Sequence, residues 1–320
     1  MGEPWKVGIV GLGIMGRRML EHMGRHPKFE VVAMWDPSAE ACARAAALAP
    51  GATVAPSAEA VIEAAQVVYL ACPPVPRKAY ALHAAGAGKA VFLEKPFGVD
   101  VAEARDLARR LEASGVPAAV NFTQAAGAAL TTVVADKTMG APRGVDIVVT
   151  YGQWPRAWQV EADWLRFAAE GGYVREVISH FLFFSARVLG PLSLVWSRPT
   201  YPADPALCET HIGARLETAQ GVPVSVLGSV GGVQPDRQEV TVTGTAKSWR
   251  ISDFYRLAVS DGGPFEPVGE EPADPRAESL RAQLDDLDRM MRGELHRLAT
   301  VAEALAVQEL VEAMLARDGA

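Results

Sequence analysis

Cysteine is scarce in this chain: Cys42, Cys72 and Cys208 are the only thiols in 320 residues. Odd in number and far apart, they exclude a disulfide framework and a zinc site of ordinary ligand spacing, and read as buried small hydrophobes. No metal is expected. Long apolar runs are missing too. The nearest, residues 178–196, is interrupted by His180, Arg187, Gly190 and Pro191, and reads as a buried helix running into a strand. The first residues enter a strand directly, without the basic and apolar segments of a secretory leader, so the cytoplasm is the expected compartment and no membrane contact is expected. No basic block is present. A net charge of -7 spread along the chain weighs against nucleic acid as a partner and favours a small-molecule substrate.

What is present is globular. Hydrophobic residues make up 49% and charged residues 22% of a chain long enough for two cores. Residues 6–10, 29–35, 67–71, 90–94 and 117–122 are apolar, strand-prone runs, with a weaker one near Thr53. Between them, residues 14–24, 39–48, 78–87 and 101–113 have helical spacing, and Asp100 with Glu103 has the pattern of a capping box. Continuous apolar strands alternating with helices predict a parallel sheet buried on both faces. Beyond Gln124 come a short helix, a strand over 144–151, a tryptophan-rich stretch and a helix over 173–189. Strands over 193–198, 210–218, 223–229, 239–243 and 248–252 then predict an antiparallel, half-covered sheet. Residues 260–275 read as a surface loop and 278–314 as amphipathic helix. The expected fold is α/β: residues 1–123 form an N-terminal Rossmann domain with a doubly wound parallel sheet. Residues 124–320 form a C-terminal α+β domain containing a large, mostly antiparallel sheet. The uncovered face of that second sheet is the expected surface of a homodimer or homotetramer.

Gly11, Gly13 and Gly16, with Leu12, Ile14 and Met15 between them, follow the first strand and open a helix. Gly11 permits a tight turn, Gly13 a close approach of a pyrophosphate to the backbone, and Gly16 close helix-strand packing, while the backbone of Ile14 and Met15 lies at an anion-favouring helix N-terminus. Asp36 stands 20 residues after Gly16 at the end of the second strand, where a carboxylate accepts hydrogen bonds from an adenine ribose diol. The alternative is a plain glycine turn with Asp36 capping the next helix. NAD is the expected cofactor. NADP stays open, because Arg17, Arg18 or Ser38 can soften the meeting of Asp36 with a 2'-phosphate. Cys72, Pro73 and Pro74 end the fourth strand and Glu94, Lys95 and Pro96 the fifth, both at the carboxyl edge where open α/β sheets bind ligands.

Taken in order, Gly11 to Gly16, Pro73-Pro74, Ala87-Gly88-Lys89, Glu94-Lys95-Pro96 and Glu103-Ala104 resemble the glucose-fructose oxidoreductase/inositol dehydrogenase family. Gly171-Gly172 followed by Glu176, Ser179 and His180 continues the likeness. The resemblance implies an NAD(P)-dependent dehydrogenase or reductase acting at a secondary hydroxyl or ketone of a sugar, cyclitol or other ring-shaped molecule. It implies that Lys95 and His180 contact the reacting hydroxyl and that Glu176 contacts substrate. Relatives of this fold also act on dihydrodiols and imines, and some are cofactor-binding regulators without activity. Glu176 and His180, four apart, share one face of a helix and can converge on one polar group. For His180 a satisfied helix histidine beside Phe181, Phe183 and Phe184 is the competing reading.

The chain departs from the family at three points. Glu176 stands where aspartate is usual, Arg77 where a histidine often follows the proline loop, and Thr123 and Gln124 after Phe122 where a basic contact is usual. These changes leave fewer charged anchors for a simple sugar. Gln124, Trp154, Trp164 and Arg166 are the candidate substrate contacts. Trp154, Trp158, Trp164 and Phe167, with Arg156 and Arg166 among them, form either a lid stacking on a flat substrate or packing between helix and sheet.

Overall fold

The computed structural model describes residues 3–270 and 272–316. Backbone proximity divides the chain into two units: the chain up to Phe122 with Leu280–Leu305, and Thr123–Ser279 with the residues from Ala306 onward.

In the first unit, strands β1 (Trp5–Val10), β2 (Phe29–Trp35), β3 (Thr53–Val54), β4 (Val67–Leu70), β5 (Ala90–Glu94) and β6 (Ala118–Asn121) form one parallel sheet. Their order, β3-β2-β1-β4-β5-β6, reverses direction between β1 and β4, which creates a crevice at the carboxyl edge. Every residue of β4 and β5 is buried, as a sheet covered on both faces requires. The covering helices are α1 (Ile14–Arg25), α2 (Ala39–Leu48), α3 (Ala58–Ala64), α4 (Pro74–Gly86) and α5 (Val101–Ser114). Ser38 caps α2 and Asp100 caps α5, each side chain accepting from a backbone N–H three residues on. The reciprocal half of the expected capping box is not formed, since the Glu103 carboxylate binds Lys78 instead. Helix α3 escapes a periodicity reading because seven residues give under two turns; it is started by Ser57, which accepts from Ala60. Helix α4 begins at Pro74, before the expected residue 78, because proline at a first helical position sacrifices no hydrogen bond.

The second unit contains α6 (Ala128–Ala135), β7 (Pro142–Tyr151), a π-helical turn (Val174–Ile178), α7 (Ser179–Leu189), and strands β8 (Leu192–Thr200), β9 (His211–Thr218), β10 (Pro223–Val230), β11 (Arg237–Gly244), β12 (Ser248–Ser252), β13 (Arg256–Ser260) and β14 (Glu266–Pro267). These strands make an eight-stranded sheet, antiparallel except where β7 and β10 run parallel. The expected loop over 260–275 therefore contains a short edge strand, β14, paired with Ala258 and Val259. Val145, Ile147, Val149, Val224, Val226, Val240 and Val242 are buried on one face. By alternation the opposite face carries Thr150, Arg215, Ser225, Glu239, Thr241 and Arg250, with Val148 and Leu227 among them.

The expected helix over 278–314 is two, α8 (Pro275–Met291) and α9 (Val301–Leu315), separated by a stretch in which Gly293 takes φ 70°. Each of the two helices contributes residues to both units. The amphipathic stripe Leu280, Leu284, Leu287 and Met290 joins the core of the first unit with Val7, Ile9, Tyr69 and Phe92, and the Trp5 Nε1 donates to Asp288 at 2.8 Å. Residues 280–305 thus lie with the first sheet and not in the expected domain over 124–320. The stripe marks a buried face in the sequence, but period alone does not say which core it enters. All three cysteines are free and buried. Among the described residues no helix is long and apolar enough to cross a membrane, and no cluster of three or more His, Cys, Asp or Glu is placed to hold a metal.

Candidate functional site

At the end of β1, Gly11 takes φ 94°, and a Cβ there would lie 2.5 Å from the backbone nitrogen of Cys72. Gly16 packs still closer: its Cβ would stand 1.9 Å from the Gly11 carbonyl oxygen. Gly13, the N-cap of α1, has no heavy atom within 4 Å of its missing Cβ. Neither a side-chain cap nor an acidic residue in the first turn neutralises this helix N-terminus, so the N–H groups of Ile14, Met15 and Gly16 lie at an open, electropositive end. Asp36 is tied to this turn. Its Oδ2 accepts from Leu12 N and its Oδ1 from Ser38 N, each at 2.8 Å, and the half-exposed carboxylate keeps further lone pairs. Space at Gly13 for a pyrophosphate and an oriented carboxylate for a ribose diol fit a dinucleotide.

The carboxyl ends of β4, β5 and β6 carry a buried polar network. The Tyr69 hydroxyl and the Asn121 amide both donate to the Glu94 carboxylate. Burial pushes the Glu94 carboxyl above the usual range, opposed by its bond from Tyr69 and by the charge of Lys95. Burial, and then the charge of Glu94, raise the Tyr69 phenol well above its ordinary value, so the phenol stays a donor. Glu94, an expected cofactor contact, thus has its side chain committed inside the sheet beneath Lys95, which is half-exposed. Tyr69 and Asn121 were not singled out from sequence; the available signal was a polar residue in each of two otherwise apolar strands.

Arg77 is 3% exposed and donates to three carbonyls: Cys72 O, with Nε at 3.1 Å, Glu94 O and Pro96 O. It is a strut joining the Cys72-Pro73-Pro74 turn to the Glu94-Lys95-Pro96 turn. The sequence marks Arg77 only as standing where a histidine often follows the proline loop; its role as a strut is not legible there, because the three acceptors converge only in the folded sheet.

In the second unit Glu176 lies in the π-helical turn and His180 in the first turn of α7. The two were expected on one continuous α-helix; instead Ser179 N bonds to Val174 O across five residues, a wider turn of a kind often found at functional sites. Glu209 accepts from Val174 N at 2.9 Å, and burial pushes its carboxyl up to about 7. Arg175 on the same turn makes a paired contact with Glu312, both bonds 2.7 Å long.

His180 is buried, its ring perpendicular to that of Phe254 at a centroid distance of 5.6 Å. Phe254 also stacks on Phe181 at 5.2 Å, and it takes φ 68° at the tip of the β12-β13 hairpin, a conformation unfavourable for a bulky residue. Its carbonyl lies 3.5 Å from the amide nitrogen of Gln124. Gln159, buried and also not anticipated, donates from Nε2 to Glu176 Oε1 at 3.3 Å.

The candidate substrate contacts divide. Trp154 donates to Leu165 O at 2.9 Å and packs between Tyr151 and Tyr173, as structural packing does. Trp164 is half-buried, and Arg166 is exposed and paired with Asp163 at 3.1 Å. Trp158 is exposed, with the guanidinium groups of Arg156 and Arg276 over its ring at 4.7 and 5.4 Å.

Residues 5–122 match a family described as oxidoreductase family, NAD-binding Rossmann fold. An inositol 2-dehydrogenase of Cereibacter sphaeroides is 36% identical over 114 residues, an alignment that spans 34% of this chain and 34% of that protein. Among solved structures, a UDP-N-acetylglucosamine 3-dehydrogenase from Acidithiobacillus ferrooxidans superposes with a TM-score of 0.80 at 18% identity, covering 98% of this chain and 97% of that one. A 3-ketoreductase from Actinomadura kijaniata, solved with NADP and TDP-benzene, gives a TM-score of 0.80 at 20% identity over 97% and 96% of the two chains. At these identities the structural likeness establishes the fold.

Proposed function

We propose that this chain, whose N-terminal domain belongs to the oxidoreductase family with the NAD-binding Rossmann fold, is an NAD(P)-dependent dehydrogenase or reductase interconverting a secondary hydroxyl and a ketone on a sugar, cyclitol or other ring-shaped small molecule. The observation that carries the cofactor half of this reading is the joining of Asp36 to the glycine turn beside the open position at Gly13. Asp36 favours NAD, since a 2'-phosphate meets its charge. Gly11, Gly13, Ile14, Met15 and Gly16 receive the pyrophosphate, and Cys72, Pro73, Pro74 and Lys95 line the carboxyl edge.

The cofactor supplies hydride exchange when bound. For the reacting hydroxyl the resemblance assigns Lys95, His180 and Glu176. In this reading Lys95 Nζ donates to the reacting oxygen, the His180 imidazole takes its proton during oxidation, and Glu176 accepts from a substrate hydroxyl. The strut at Arg77 and the network at Glu94 support the turn that carries Lys95, and Phe254 limits the rotation of His180. The inositol 2-dehydrogenase to which the first domain is similar, and the UDP-N-acetylglucosamine 3-dehydrogenase and 3-ketoreductase whose fold the chain shares, support the sugar or cyclitol class.

Titration with NADH and NADPH, followed by turnover of myo-inositol, D-glucose, UDP-N-acetylglucosamine and a cyclic trans-dihydrodiol by wild type and Lys95→Ala, tests the reading. NADH binding by both proteins, with turnover only by wild type, supports it. Binding without turnover by either points to a regulator, and failure to bind any dinucleotide removes the reading.

Association through the open face of the second sheet rests on Val148 and Leu227, in a face otherwise mostly polar, and on Trp196 in β8. Light scattering on wild type and Leu227→Asp tests it: a dimer or tetramer that dissociates in the variant supports it, and a monomeric wild type removes it.

A further inference from the structure

Gln159 is 2% exposed, so its amide must satisfy both ends within the protein. The oxygen end is identifiable by chemistry. Arg156 approaches Gln159 Oε1 with its backbone N–H at 3.3 Å and with Nε at 3.0 Å, and both groups can only donate. Turning the amide over would set its NH2 against two donors. The NH2 therefore faces Glu176 Oε1, at 3.3 Å, and meets a carboxylate that can accept.

Arg156 is itself held in place. Its guanidinium lies over the rings of Tyr151, Trp154 and Trp158 at 5.1, 5.8 and 4.7 Å, and Nη1 reaches the Tyr151 hydroxyl at 3.4 Å. Ring faces favour a cation, so the aromatic cluster anchors the charge that orients the amide. We propose that Gln159 is a positioning residue: it passes the donor polarity of Arg156 to Glu176 and so holds one carboxylate oxygen, directing the other toward a substrate hydroxyl. The functional half of this proposal rests on the assignment of Glu176 to substrate. It also gives the tryptophan-rich segment a role distinct from stacking on a ligand, which is to keep Arg156 aimed at Gln159.

The test exchanges polarity across the pair. In Gln159→Glu, near in shape to wild type, Arg156 keeps its acceptor but an oxygen now faces Glu176. In Glu176→Gln the NH2 of a glutamine can meet another donor. In the double variant, the amide introduced at position 176 can donate to the carboxylate introduced at position 159. Gln159→Glu is expected to lower Tm by about 2–4 °C, and adding Glu176→Gln is expected to restore it, a coupling that needs no substrate. Additive Tm changes overturn the hydrogen-bond polarity. For function, Gln159→Leu is compared with wild type on whichever of myo-inositol, D-glucose, UDP-N-acetylglucosamine and the dihydrodiol turns over. A fall in kcat of roughly tenfold, corresponding to one oriented hydrogen bond, with unchanged NADH affinity is expected. Unchanged kcat in Gln159→Leu, where Glu176→Gln is impaired, overturns the positioning role. Wild-type turnover by Glu176→Gln shows instead that the assignment of Glu176 to substrate has failed, and the Tm cycle still reads the hydrogen bond by itself.

Discussion

The carboxylate of Asp36 accepts the backbone N–H of Leu12 at 2.8 Å, so the tip of the second strand and the glycine turn after the first form one hydrogen-bonded unit. The same side chain both builds the turn and presents an acceptor at its edge. Asp36→Ala is expected to weaken NADH binding by about 10–100-fold, the value of charge-assisted hydrogen bonds, and to narrow or reverse the preference over NADPH. Fluorescence titration with the two dinucleotides measures this; an unchanged ratio of affinities removes Asp36 from cofactor selection.

Two glycines of the turn should behave differently under the same substitution. A methyl at Gly16 meets the Gly11 carbonyl oxygen at 1.9 Å, whereas a methyl at Gly13 meets no protein atom within 4 Å. Gly16→Ala is expected to destabilise by about 2 kcal/mol or more through forced backbone movement. Gly13→Ala is expected to leave Tm near wild type while weakening dinucleotide binding. Thermal denaturation beside NADH titration separates the two, and a large loss of stability in Gly13→Ala contradicts the account.

Arg77 satisfies the carbonyls of Cys72, Glu94 and Pro96 from a buried position. Arg77→Met keeps much of the side-chain bulk and leaves these acceptors without their donor. A loss of about 3 kcal/mol or more is expected, measured by urea denaturation. A variant as stable as wild type means that water replaces the strut.

Glu209 links stability to pH. Its carboxyl is raised from 4.5 to about 7 by burial, so the folded protein holds this proton more tightly than the unfolded chain. The contribution is fully present below pH 4.5 and is lost as pH rises through 7. Glu209→Gln keeps an acceptor for Val174 N and removes the titration. The stability advantage of the variant over wild type should therefore grow between pH 5 and pH 8, by roughly 3 kcal/mol at most. Parallel stability curves for the two proteins across that range contradict it.

The readable parts of this molecule are those encoded locally. Strands β4 and β5 announce themselves as continuous apolar runs, and the glycine turn with Asp36 has its spacing written along a single βαβ unit. Glu176 and His180 also stand in a local pattern, although the π-helical form of the turn that carries Glu176, which Glu209 meets at Val174 N, is not written in their spacing. What stayed hidden is set by distant neighbours. Arg77 is a strut because three carbonyls from two strand ends converge on it. Gln159 matters through Arg156 on one side and Glu176 on the other, and Phe254 comes from a hairpin far beyond His180 in the chain. Leu280, Leu284 and Leu287 show an apolar stripe in sequence, but the core they join follows only from the fold.

Hydride transfer from the nicotinamide leaves an isotopic record in the alcohol product. NADH carrying deuterium at both C4 positions of the nicotinamide is incubated with wild type and a panel of cyclic keto compounds derived from inositols and sugars, and the alcohol product is examined by mass spectrometry. One deuterium at the new carbinol carbon is expected with wild type, and little product with Lys95→Ala. An alcohol formed without the label, or formed equally well by Lys95→Ala, contradicts it.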